Sequence, residues 1–248
     1  MSLLEDEIAA NYDTFRGDWQ AQLQTNWTTL SKENLFYLSY RRLSAVNALK
    51  NTIVVTRLSA DSAAFFFEAH NDALISHVAA SCGSWRPALQ SLRSCIENAL
   101  NAIYFMDHPV ELRQWRRGEF KLGFTDLYGY AVKHPAIGTG LREVAGLGIL
   151  KGEFATLSMA VHASNVDFRM TEPGTSILLW SADTVRARKW ATRERMVLEG
   201  VALLFSVVFH DELTGAKNLA LREALYFAIS AGNRAKLKQR LHITLSKP

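Results

Sequence analysis

The sequence predicts an all-α fold, a helical bundle of about seven to nine helices. Three observations carry that prediction. Apolar residues recur at helical spacing along most of the chain. The 248 residues include only five prolines and fourteen glycines, too few to punctuate an all-β or loop-rich protein. The breaks that do occur carry helix-start or helix-stop chemistry.

Taken in order, a first helix runs from about Leu3 to Leu30. Ser31 with Asn34 opens a second, "ENLFYLSYRRLSAVNALKNTIVV". Asp61 is expected to cap a third, which ends at Cys82 and Gly83. Pro87 pre-sets the first turn of a fourth, which contains "SLRSCIENALNAIYF" and stops at "MDHP". Pro109 starts a short fifth, and Gly118 and Gly123 break the chain before "TDLYGYAVKHP". "LREVAGLGILKGEFATLSMAVHAS" reads as a helix weakened by Gly146, Gly148 and Gly152. In "NVDFRMTEPGTSILLWSAD" two short β-prone runs flank "TEPG", so one short β-hairpin is expected near 165–180. Asp183 then caps a long helix to about Glu212, and a last helix covers roughly Ala216 to Ser230, with "NRAKLKQRL" adding a turn or two. No repeat, low-complexity tract or strong linker divides the chain. The reading is therefore one helical domain over 1–248: N-terminal helices (1–58) on a core of 60–230, followed by a basic tail over 231–248.

Composition narrows the function classes. At 48% hydrophobic, the chain can bury a sizeable core and is not disordered. Its formal charge of +4 is uneven. Beyond residue 216, Lys217, Arg222, Arg234, Lys236, Lys238, Arg240 and Lys247 face one acid, Glu223, an asymmetry suited to RNA or another acidic partner. Cys82 and Cys95 form no CxxC and no disulfide framework, which predicts free thiols. "MSLLEDEIAAN" has no basic n-region or apolar h-region, and the longest apolar run, Gly200 to Phe209, is far shorter than the ~20 residues a membrane span needs. The expectation is a cytoplasmic protein with no membrane partner.

Four constellations are candidates for chemistry. On the fourth helix, Gln90, Arg93, Glu97, Asn101 and Tyr104 fall in a stripe about 80° wide, opposite Leu89, Leu92, Ile96, Leu100 and Ile103. A solvated face favours Lys, Glu and Gln, whereas this arc adds Ser91, Ser94 and Asn98, poor helix formers that a polar partner would compensate. Solvent and a partner both remain open as its neighbour. His70 and His77 lie on one helix face, but seven residues rise about 10.5 Å, too far for both to reach one zinc ion; they read as structural, and no metal site is expected. Ser158 and His162 are four apart among small residues, and His162 is the best general acid–base candidate, its ordinary pKa lying near 6.5. In "RARKWATRER", Arg186, Trp190 and Arg193 share one face, a pattern that grips phosphates and stacks a base if Trp190 is open and is a plain core contact if it is buried. P-loop and GxGxxG patterns are absent, and no cofactor is expected.

"ALQSLRSCIENALNAIYFMDHPVELRQW", followed by "FATLSMAVHAS", resembles a poorly characterised bacterial branch of the HEPN-like superfamily of helical proteins, over roughly residues 60–210. That branch often carries L-R-x-x-x-E, an Asp-x-Pro turn and a later L-S-x-x-x-H. Here these are Leu92, Arg93 and Glu97, then Asp107 and Pro109, then Leu157, Ser158 and His162. The resemblance implies a helical bundle, often dimeric, and metal-independent RNA cleavage in toxin–antitoxin and antiphage defence systems. The superfamily's cleavage signature is Arg, four to six residues, then His; no arginine of this chain has it. The expected function is binding or acting on RNA. Arg93, Glu97 and His162 are the candidate catalytic set, and Asn101, Tyr104, Ser158, Arg186, Trp190 and Arg193 the binding set. A non-catalytic helical adaptor or dimerisation module and a small-molecule sensor are the alternatives, with a second copy or another protein as partner.

Overall fold

Asp183 caps its helix as its chemistry predicts: one carboxylate oxygen accepts from the backbone N–H groups of Val185 and Arg186. The structure, a computed structural model, describes residues 3–162, 168, 180–215 and 217–247. Among them are ten helices and no strand: α1 (Leu3–Leu30), α2 (34–57), α3 (Ala60–Ser81), α4 (Trp85–Asp107), α5 (Pro109–Arg116), α6 (Phe124–Lys133), α7 (Leu147–Val161), α8 (Thr184–Val208), α9 (Leu219–Ala228) and α10 (Ala231–Leu241). The expected hairpin near 165–180 lies almost wholly outside the described residues.

The core forms around α4, whose Leu92, Ile96, Leu100 and Ile103 are all essentially unexposed. The short turn at Gly83 folds α3 back along α4. Gly83 has φ +78°, and a Cβ there would stand 2.5 Å from the Ser181 carbonyl oxygen, so the turn needs glycine on both counts. α8 crosses behind, burying Leu198, Val201, Phe205 and Trp190. Gly200 lets α7 close on α8, because a Cβ at that position would meet Leu150 at 2.6 Å.

Several boundaries differ from expectation. Ser59, not Asp61, caps α3, its hydroxyl accepting from the Ser62 N–H. Residues 141–146 form turns, and α7 starts only after Gly146 (φ +68°). The long helix stops at Val208, before a separate 3-10 turn, His210–Glu212. The segment read as a basic tail contains a full helix, α10, anchored by the buried Leu237. α2 carries a π-helical stretch, Lys50–Val54, which turns Ile53 and Val54 into the core.

α1 stands apart. Only Asn26 and Leu30 of its 28 residues are buried. Leu4, Ile8, Tyr12, Phe15 and Trp19 form one exposed stripe at i, i+3 and i+4 spacing. Its base is tied down where Asn26 Nδ2 donates to the Cys82 carbonyl (2.9 Å) and Trp19 packs on Trp180. No described helix is long and apolar enough to cross a membrane.

Candidate functional site

The polar stripe of α4 is not a solvated face. Gln90, Arg93, Glu97, Asn101 and Tyr104 are all half-buried, because α6 and α7 pack across it. The partner is chiefly α7. Arg93 Nε donates to Ser158 Oγ (3.2 Å), its Nη1 donates to Glu97 Oε2 (2.8 Å), and its guanidinium lies 4.5 Å from the centre of the Phe154 ring. Phe154 in turn stacks on Phe124 of α6. Ser158, Phe154 and Glu97 thus hold one guanidinium across two helices. Burial pushes the Glu97 carboxyl above its ordinary 4.5, and Arg93 partly pulls it back.

Of the expected catalytic set, Arg93 and Glu97 meet directly, while His162 sits at the C-cap of α7 and is exposed. It lies one turn beyond Ser158, about 6 Å along the axis. The contact made is therefore Arg93 with Ser158, not with His162. Ser158 itself donates to the Phe154 carbonyl (2.8 Å), so its hydroxyl proton is occupied. Arg86 reinforces this end of α7, donating to the carbonyls of Ala160 (3.1 Å) and Val161 (2.7 Å). Sequence reading missed Arg86, because the bond spans 74 residues and has no local signature.

The remaining expected binding residues scatter. Tyr104 stacks on His108 with ring centres 4.0 Å apart, at the far end of the stripe. Asn101 has no side-chain hydrogen bond among the described residues, whereas its neighbour Asn98 donates to Asp72 (2.9 Å). Arg186 lies 3.4 Å from Asp183 at the start of α8. Arg193 donates to Glu153 Oε1 (2.8 Å), and burial raises that carboxyl against the lowering pull of Arg193. Trp190 corrects the expectation of a base-stacking platform. It is 1% exposed, stacks on Phe36 and donates its Nε1–H to Ser76 Oγ (3.0 Å). The arginines of "RARKWATRER" therefore flank a core tryptophan, with no ring face open to a base.

A buried Arg–Glu pair was invisible in the sequence. Arg42 Nε donates to Glu194 Oε2 (2.8 Å), and Ser39 Oγ donates to Glu194 Oε1 (2.9 Å) while meeting His77 Nδ1 (2.9 Å). Glu194 is 0% exposed. Serine, not histidine, stands in the middle of this chain of bonds, so it is no catalytic triad. His77 is thereby packed among Ser39, Phe36 and Trp190. Among the described residues no three His, Cys, Asp or Glu side chains are placed to share a metal ion.

No family model matches the chain, and no curated protein or solved structure matches it.

Proposed function

We propose that the protein binds RNA along the α4–α7 seam, as a HEPN-like helical protein of a bacterial defence or toxin-type system. One observation carries this reading: Arg93 and Ser158, 65 residues apart, touch, so the L-R-x-x-x-E and L-S-x-x-x-H segments form a single seam. Along it stand a partly open guanidinium, the Glu97 carboxylate paired with it, and an exposed imidazole at its end. Arg93 is suited to phosphate by its fork of donors. Metal-independent cleavage would ask His162 to move the proton, with Arg93 holding the developing charge. The geometry favours binding over cleavage, since no described side chain orients His162.

The test is fluorescence anisotropy with a short single-stranded RNA across a salt series. The expected result is affinity that falls steeply with salt and drops about tenfold in Arg93→Met. RNA affinity that is absent, or unchanged in Arg93→Met, overturns the reading. The adaptor alternative has its own support: Arg93, Glu97 and Ser158 satisfy one another. It predicts that Arg93→Met loses stability and no RNA affinity.

The reading includes a cytoplasmic homodimer in which the α1 stripe packs on a second copy. α1 carries Glu5, Asp6, Glu7, Asp13 and Asp18 against Arg16, which complements the basic α9–α10 segment. Five large apolar side chains in one stripe also exceed what a monomer ordinarily leaves in water. Light scattering is expected to give twice the chain mass, reduced to one chain by Ile8→Glu with Phe15→Glu; a monomeric wild type refutes the dimer.

A further inference from the structure

The C-terminal ends of α4, α6 and α8 converge on a cleft of about 670 Å³ that the RNA reading does not use. Asp107, His108, Tyr130, Lys133, His134 and Phe209 line it. We propose that this cleft binds a small organic cation, an ammonium or guanidinium group.

The argument rests on which atoms are already committed. The Tyr130 hydroxyl donates to Asp107 Oδ2 at 2.5 Å. The backbone N–H of Ala136 donates to His134 Nδ1 (3.2 Å), so that nitrogen holds a lone pair and the proton sits on Nε2. His134 is 6% exposed, and its Nε2 stands 3.0 Å from the same Asp107 Oδ2. The distance is that of a hydrogen bond but the direction is not, and this buried N–H has no aligned acceptor. It is a close electrostatic contact that a small rotation of the carboxylate turns into a bond. Nδ1 is taken by Ala136 and Nε2 carries the proton that faces Asp107, so His134 is a positioning residue and not a general base. His108 is the opposite case. Its Nδ1 faces the Tyr104 carbonyl (2.8 Å) and must donate, which leaves Nε2 as an acceptor.

Asp107 Oδ1 accepts no hydrogen bond among the described residues. The cleft therefore offers acceptors, a carboxylate oxygen and an imidazole lone pair, between aromatic rings. The C-terminal ends of α4, α6 and α8 add partial negative charge, opposed in part by the N-terminus of α5 at His108. A donor-rich, positively charged, flat or compact group matches all three features. Lys133, exposed, also lines the cleft, and its positive charge opposes a bound cation.

Isothermal titration of the full chain tests this with agmatine, a free amine, and with Nα-acetylargininamide, which stands for an arginine side chain of a partner; binding of either supports the shared chemistry. Saturable binding is expected, weakened about tenfold by Asp107→Asn, less by Tyr130→Phe, and strengthened by Lys133→Met. Asp107 is at the surface, and circular dichroism will show that its variant folds. No binding of either probe, binding indifferent to Asp107→Asn, or weaker binding in Lys133→Met overturns the proposal. None of these outcomes bears on RNA affinity at Arg93.

Discussion

Two Arg–Glu–Ser clusters among the described residues differ in little but water. Arg42, Glu194 and Ser39 join α2 to α8 with the carboxylate wholly buried; Arg93, Glu97 and Ser158 join α4 to α7 with both charged side chains more than a quarter exposed. The bond lengths are alike, at 2.8 Å for each leading Arg–Glu hydrogen bond. The consequences are not. A buried carboxylate must be satisfied completely, and Glu194 is, by Arg42 on one oxygen and Ser39 on the other. The half-exposed cluster can exchange its partners for water or for a ligand at low cost. Burial, more than residue type, separates a fastener from a candidate site.

The sharpest way to break this comparison is to remove one carboxylate from each cluster. Glu194→Ala leaves the Arg42 charge buried and uncompensated and is expected to cost about 3–5 kcal/mol. Urea unfolding measures it. A loss near that of an ordinary surface substitution would mean that water reaches Arg42, and the contrast between the clusters would disappear.

A smaller effect comes from pH. Burial, and then Arg42, hold the His77 imidazole below its ordinary 6.5. A lowered histidine favours folding above its unfolded pKa, and that contribution is lost as pH falls through the folded value. Glu194 has the opposite sign: burial raises it, so its contribution is largest below 4.5 and declines as pH rises through its folded value. Acidification from about pH 7.5 to 5.5 should therefore cost stability through His77, with His70 adding to it for the same desolvation reason. His77→Gln keeps a partner for Ser39 and should make that loss shallower in urea midpoints taken at both pH values. An unchanged pH dependence would show that His77 does not titrate as a buried group.

What was legible in the sequence follows the same division. The helices were, because each repeats its own apolar spacing: the apolar face of the fourth, Leu89, Leu92, Ile96, Leu100 and Ile103, is buried as that spacing requires. Caps were partly legible; Asp183 was read correctly, whereas Asp61 was read as the cap that Ser59 supplies. The α4 stripe was legible as unusual, since its serines and asparagines are poor solvated-helix residues, and that oddity marked a face packed against other helices. Contacts between distant segments were not. Nothing in "SYRRL" marks Arg42 as the partner of a glutamate 152 residues on, and nothing near Trp190 tells a stacking platform from a core ring. Both depend on which side of α8 faces inward, and α2, α3 and α4 decide that together.

The smallest predicted effect is also the one that separates site from scaffold most cleanly. Glu97→Ala removes a partner from Arg93, but Arg93 keeps Ser158, the Phe154 ring and access to water. The loss should stay within about 1 kcal/mol, as for other exposed pairs. The same substitution removes a carboxyl that faces incoming phosphate, so RNA affinity should rise slightly or hold. Stability and affinity would then move in different directions, which a purely structural network does not allow. If Glu97→Ala instead costs as much as Glu194→Ala, the α4–α7 seam is a second fastener, and the RNA reading loses the openness on which it depends.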